Sequence, residues 1–134
     1  MKHKILHADD QENLRRVFKM LLKYDFPEFE IESFENGSSL EERLNGDLEG
    51  VKLVVTDNDM HPGISGSKVI MDYAQRPGFT HLPFILFYGG DASVGELAKQ
   101  HGAFAYVMKG TDPKELIVKI KEALNYSEIT QLSQ

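Results

Sequence analysis

The stretch Lys52-Leu53-Val54-Val55-Thr56-Asp57 decides the fold. Its apolar residues run almost without a break, unlike the alternation of a strand that is wet on one face, and the run is too short for a helix. A strand buried on both faces belongs to a parallel sheet covered by helices on two sides. Pro83–Phe87 and Ala105–Met108 have the same character, and Lys4–Ala8 and Phe29–Phe34 complete a set of five strand candidates.

Between these runs the apolar residues recur with a period of about 3.6. Leu14, Val17, Phe18, Leu21 and Leu22 place a stripe on a helix that starts near Gln11. Ser38 or Ser39 can cap a short second helix carrying Leu40 and Leu44, with Gly46 as a left-handed stop. Val69, Ile70 and Tyr73 mark a third helix that ends before Arg76-Pro77-Gly78. Val94, Leu97 and Ala98 mark a fourth that ends at Gly102. The fifth is capped by Thr111 or Asp112, has Pro113 in its first turn, and carries Leu116, Ile117, Ile120, Ala123 and Leu124 on one face. Five βα units in series predict an α/β fold, a three-layer, doubly wound (βα)5 parallel sheet with right-handed crossovers. Residues 1–125 fill this domain, and polar Tyr126–Gln134, which has no periodicity, reads as a loosely ordered tail.

The 134 residues suit one globular domain, and no attached catalytic or DNA-binding domain is expected. Hydrophobic residues at 41% and 8 Phe can build its core. With 15 basic against 21 acidic residues the net charge is -6, which disfavours nucleic acid and anionic membranes as partners. The absence of Cys excludes disulfides, thiolate metal sites and a Cys nucleophile. Neither a membrane-spanning run nor a signal peptide is legible, so a cytoplasmic protein is expected.

Ligands of such sheets bind beyond the carboxyl ends of the strands, where the strand order reverses. Asp9 and Asp10 follow the first strand, Asp57 the third, Tyr88 the fourth and Lys109 the fifth. Each has a plainer alternative. Asp10 or Gln11 could cap the first helix, and Lys109 alone could be a solvated surface lysine. Together they set three carboxylates and one ammonium on one edge. Acids so close resist simultaneous ionisation without a cation, and an all-oxygen ligand set points to Mg²⁺. Lys109 can then hold an anion, most naturally a phosphoryl group.

With these residues in view, the chain resembles the receiver domain of two-component response regulators, of the stand-alone chemotaxis-regulator type with a flavodoxin-like fold. The resemblance runs from Lys4 to Leu124. It is carried by Asp9-Asp10, Val54-Val55-Thr56-Asp57, the loop with Met60, Pro62-Gly63 and Gly66, Leu82-Pro83-Phe84, Gly102-Ala103 and Tyr106-Val107-Met108-Lys109. It implies that Asp57 accepts a phosphoryl group from a phosphohistidine on a sensor histidine kinase or a histidine phosphotransfer protein. By the same resemblance Asp10, Asp57 and the main-chain oxygen of Asp59 ligate Mg²⁺, Asp9 acts through a water, Lys109 neutralises the phosphoryl oxygens, and Tyr106 is the switch aromatic. The output would be a contact with a downstream protein through the fourth helix, fifth strand and fifth helix, not direct binding of nucleic acid.

Three positions depart from that family. Tyr88 stands where a Thr or Ser hydroxyl usually couples the phosphoryl group to the aromatic. Its phenol cannot reach the phosphoryl group in the same way, so its ring is expected across the site mouth or in the space into which Tyr106 would turn. The loop Asn58–Gly66 is one residue longer through His61, and Gly110 replaces a Pro after Lys109, removing the usual cis peptide there. Two other readings fit some of the residues. Asp57-Asn58-Asp59 resembles the Asp-x-Asp of haloacid-dehalogenase-type phosphatases, although the order of motifs along the chain is reversed. A pseudo-receiver, the same fold acting only as a phosphorylation-independent binding module, is favoured by Tyr88 and opposed by the intact Asp9, Asp10, Asp57 and Lys109.

Overall fold

Strands and helices alternate strictly along the chain: β1 His3–Ala8, α1 Glu12–Asp25, β2 Phe29–Phe34, α2 Gly37–Leu44, β3 Val51–Thr56, α3 Gly66–Tyr73, β4 Phe84–Tyr88, α4 Ala92–Gln100, β5 Ala105–Met108 and α5 Pro113–Leu132. The computed structural model describes residues 2–110 and 112–132. All five strands are parallel, in the order β2-β1-β3-β4-β5, as expected for a doubly wound sheet. No helix among the described residues is long and apolar enough to cross a membrane.

The alternation of side chains along each strand supplies two cores. Leu6, Ala8, Val54, Phe84 and Leu86 meet Leu40, Leu44, Val69, Ile70, Tyr73 and Ala98 of α2, α3 and α4. Ile5, Leu53, Val55, Ile85 and Val107 face the other way, onto Phe18 and Leu22 of α1 and Leu116, Ile120 and Ala123 of α5. This two-sided burial explains why the β3 and β4 sequences show no polar alternation.

Local details differ from the sequence expectation in four places. The cap of α2 is Asn36, whose Oδ1 accepts the Ser39 N–H at 2.8 Å, in place of Ser38 or Ser39. The helix begins early because the loop after β3 lies on its first turn, with the N–H groups of Gly37 and Ser38 donating to Met60 O (3.4 Å) and Pro62 O (3.3 Å). Gly46 is not left-handed. The helix ends at Asn45, and Gly50, with φ 83°, turns the chain into β3. Val17 and Leu21 of the α1 stripe remain 50% and 41% exposed, bordering a groove between α1 and α5. Finally, α5 continues to Leu132 where a loose tail was expected. Tertiary contact overrides weak amphipathicity there: Ser127 is buried, and Tyr126 lies against Phe104 with ring centroids 5.5 Å apart. Asp112 Oδ1 accepts the Lys114 N–H at 3.0 Å at the start of α5; Thr111, the other candidate cap, lies outside the described residues.

Candidate functional site

Strand order reverses between β1 and β3, and their register places the site. Ala8 pairs with Thr56, so Asp9 and Asp57 leave the sheet side by side, tied by a bond from Asp57 N to Ala8 O at 2.9 Å. Tyr88 pairs with Met108, which brings Lys109 to the same edge, its N–H donating to Tyr88 O at 3.2 Å. Asp9, Asp10 and Asp57 each offer a carboxylate oxygen within 4.8 Å of the other two. The Lys109 ammonium closes the group, with Nζ 2.8 Å from Asp9 Oδ2 and 3.2 Å from Asp57 Oδ2.

Each carboxylate has its own surroundings. Asp9 is buried, and its Oδ1 accepts the Gln11 N–H at 3.0 Å. Asp57 is also buried, and its Oδ1 accepts the Asn58 N–H at 2.8 Å. Asp10 is exposed and has no hydrogen-bond or ion-pair partner among the described residues. Neither it nor the Gln11 side chain caps α1, which removes the plainer reading of the acidic pair. Asp59 is exposed beside the cluster, its carboxylate accepting from Asn58 Nδ2 at 3.4 Å.

Burial pushes the Asp57 carboxyl up. Lys109 and the Asn58 N–H pull it back, and the Asp9 charge adds to the rise. Burial alone would lower Lys109, but its bonds to Asp9 and Asp57 and their charges outweigh that effect and hold it above the usual lysine range. Two buried carboxylates therefore share one ammonium, with Asp10 beside them unpaired among the described residues. Hard oxygen donors at this spacing suit a divalent cation that keeps most of its waters, and the residues present fit Mg²⁺.

The sequence model of the response regulator receiver domain matches residues 5–121. The chain belongs to that family. It is therefore a receiver domain of the two-component type. The phosphate regulon transcriptional regulatory protein PhoB of Rhizobium meliloti is 29% identical over 99% of this chain and 57% of its own length, so the receiver spans about half of that relative. A receiver domain protein from Clostridium thermocellum superposes with a TM-score of 0.84 at 26% identity, covering 96% of this chain and 98% of its own. The response regulator TrrA of Thermotoga maritima, in complex with Mg²⁺ and BeF, gives a TM-score of 0.74 at 30% identity over 91% and 99%.

In this receiver the two tyrosines named by the sequence are accommodated on glycines. Tyr88 is half-buried, its hydroxyl lying where a side chain on Gly90 would stand. Tyr106 is half-buried with its ring against Gly95 of α4, and its hydroxyl is buried without a partner. The long loop after Asp57 is pinned at both ends. Asn58 Oδ1 accepts the Ser67 N–H at 3.0 Å, and Gly63 rests on the backbone of Ser38. The peptide that is cis among the described residues is His61–Pro62, and Lys109–Gly110 is trans.

Three residues around the site were not singled out from sequence. Asn58 ties the loop to α3. Arg15 of α1 donates from Nη1 to the Asp9 carbonyl at 2.8 Å. His7, two residues before Asp9 and so on the same side of β1, is 1% exposed and stacks on Phe18 at 3.6 Å and 8° with its Nδ1 unpartnered. Strand parity could have found His7, whereas the other two depend on contacts that spacing alone does not specify.

Proposed function

We propose that this receiver accepts a phosphoryl group on Asp57 from the phosphohistidine of a sensor histidine kinase or a histidine phosphotransfer protein. It acts with Mg²⁺ in the cytoplasm and signals through a contact with a downstream protein. One observation carries the reading: the Lys109 ammonium stands 3.2 Å from Asp57 Oδ2 at the switch point of the sheet, where the charge of a group attached to that oxygen would develop. The likeness to TrrA, described with Mg²⁺ and BeF, supports the same ion here.

In the transfer an Asp57 carboxylate oxygen attacks phosphorus in line. The P–N bond breaks, its electron pair returns to the donor imidazole, and an aspartyl phosphate forms. Mg²⁺, when bound, neutralises the phosphoryl oxygens and the crowded carboxylates. Asp10, Asp57 and the main-chain oxygen of Asp59 would hold it, with Asp9 acting through a water. Lys109 exchanges its contact with the Asp57 carboxylate for one with the phosphoryl group, so its charge stays paired. The chain is a phosphoacceptor, with self-catalysed transfer and autodephosphorylation as its only chemistry. The receiver unit runs to the end of α5 at Leu132. Its net charge of -6 favours a protein over nucleic acid as the next partner.

The test is intact mass after incubation with Mg²⁺ and acetyl phosphate. The unmodified protein gains one phosphoryl group and Asp57→Asn gains none. A gain that maps to Asp9, Asp10 or Asp59 overturns the assignment, and no gain at all in the unmodified protein turns the reading to a phosphorylation-independent binding module.

A further inference from the structure

Asp9 and Asp10 are chain neighbours, yet the fold treats them oppositely. Every acceptor of Asp9 is engaged: Oδ1 by the Gln11 N–H (3.0 Å), Oδ2 by Lys109 Nζ (2.8 Å), and the main-chain oxygen by Arg15 Nη1 (2.8 Å). Asp10 is exposed and unengaged among the described residues. The turn that holds both lacks the usual anchor of a helix start, because α1 has no side-chain N-cap bond. What pins the turn to α1 is the guanidinium of Arg15. It is half-buried one turn into the helix, its own N–H donates to Gln11 O at 3.0 Å, and its side chain reaches back across the turn to the Asp9 carbonyl. A charged donor on a carbonyl in such a place is stronger than a neutral one.

Resting on the phosphoacceptor reading above, we propose that Arg15 is a positioning residue of the acidic site. By holding the Asp9 carbonyl it fixes the β1–α1 turn, keeps Asp9 committed to Lys109 and leaves Asp10 as the carboxylate offered to the cation. Mg²⁺ demands nearly ideal octahedral geometry, so a loosened turn lowers affinity even though every ligand remains present.

The sign of the effect separates positioning from charge. Arg15 is a cation near a cation site, so by Coulomb's law alone its removal tightens Mg²⁺ binding; if it positions the turn, removal weakens binding. Calorimetric titration of Mg²⁺ into the unmodified chain, Arg15→Met and Arg15→Lys decides this, with hydrogen exchange at the Gln11 amide followed in metal-free protein. Arg15→Met keeps the aliphatic stem and is expected to bind Mg²⁺ roughly tenfold more weakly, the usual scale for losing an outer partner of a metal ligand. Its Gln11 amide exchanges faster, and Arg15→Lys, which keeps the charge and a donor, recovers most of both. Should Arg15→Met fail to fold, Arg15→Gln takes its place in the same measurements. Unchanged or tighter Mg²⁺ binding in the variant, beside a normal wild type, overturns the role of Arg15 alone. A wild-type chain that binds no Mg²⁺ overturns the phosphoacceptor reading and this one with it.

Discussion

Acidification should act on this protein through His7. Burial lowers its pKa from 6.5 to about 3; the Lys109 and Arg15 charges add to that and the Asp9 charge opposes it. The folded chain therefore keeps His7 neutral down to about pH 3, while the unfolded chain takes up a proton near pH 6.5. Below that value protons bind the unfolded state preferentially, so stability falls as the pH drops from 6.5 towards 3. At pH 5 the unfolded imidazole is about 1.5 pH units past its midpoint, and at about 1.4 kcal/mol per unit the protein loses about 2 kcal/mol relative to pH 7 through this group. His7→Phe isolates the effect, because the ring stack on Phe18 is kept while the ionisable nitrogens and the unpartnered Nδ1 are removed. Urea unfolding followed by circular dichroism in metal-free buffer, at pH 7 and pH 5, gives the double difference. The variant should lose about 2 kcal/mol less than the unmodified chain between the two pH values. Equal losses in both proteins would refute the reasoning, since every other titrating group is common to them.

Two further outcomes concern the tyrosines. In Gly95→Ala the added methyl collides with the Tyr106 ring, so the ring must leave its seat. A cost of about 1–3 kcal/mol in urea unfolding and shifted Tyr106 ring resonances are expected, and a stabilised variant with unmoved resonances contradicts the packing described. Tyr88→Thr restores a short hydroxyl at the end of β4, and amide shifts around Tyr106 on adding beryllofluoride and Mg²⁺ should grow relative to the unmodified chain. Large shifts in the unmodified chain that the substitution leaves untouched would show that the hydroxyl is irrelevant.

The fold was legible because its strands are buried on both faces. Runs such as Leu53-Val54-Val55 can only be interior strands, and their ends fell within a residue of the observed ones. The same logic found Asp9, Asp57 and Lys109, since in a parallel sheet the residue after each strand lies on one edge whatever the loops do. What escaped was decided by contacts across the chain. Asn36 displaced Ser38 and Ser39 as the cap because the β3–α3 loop packs on the first turn of α2. The end of α5 was misread as loose because the contact between Tyr126 and Phe104 joins residues far apart in sequence. Arg15 looked like any polar residue of a surface helix until its partner proved to be a backbone carbonyl.

The pairing of Lys109 with Asp9 closes a span of 100 residues, from the end of the first strand to the end of the last. β5 is an edge strand that pairs within the sheet with β4 alone, and the site's only ammonium among the described residues arrives with it. Until β5 docks, the other four strands carry three mutually repelling acids and no counter-charge from Lys109. The centre is thus complete only with β5 in place: a truncated copy without that strand, however native its first four, presents the acidic cluster without the ammonium that pairs it.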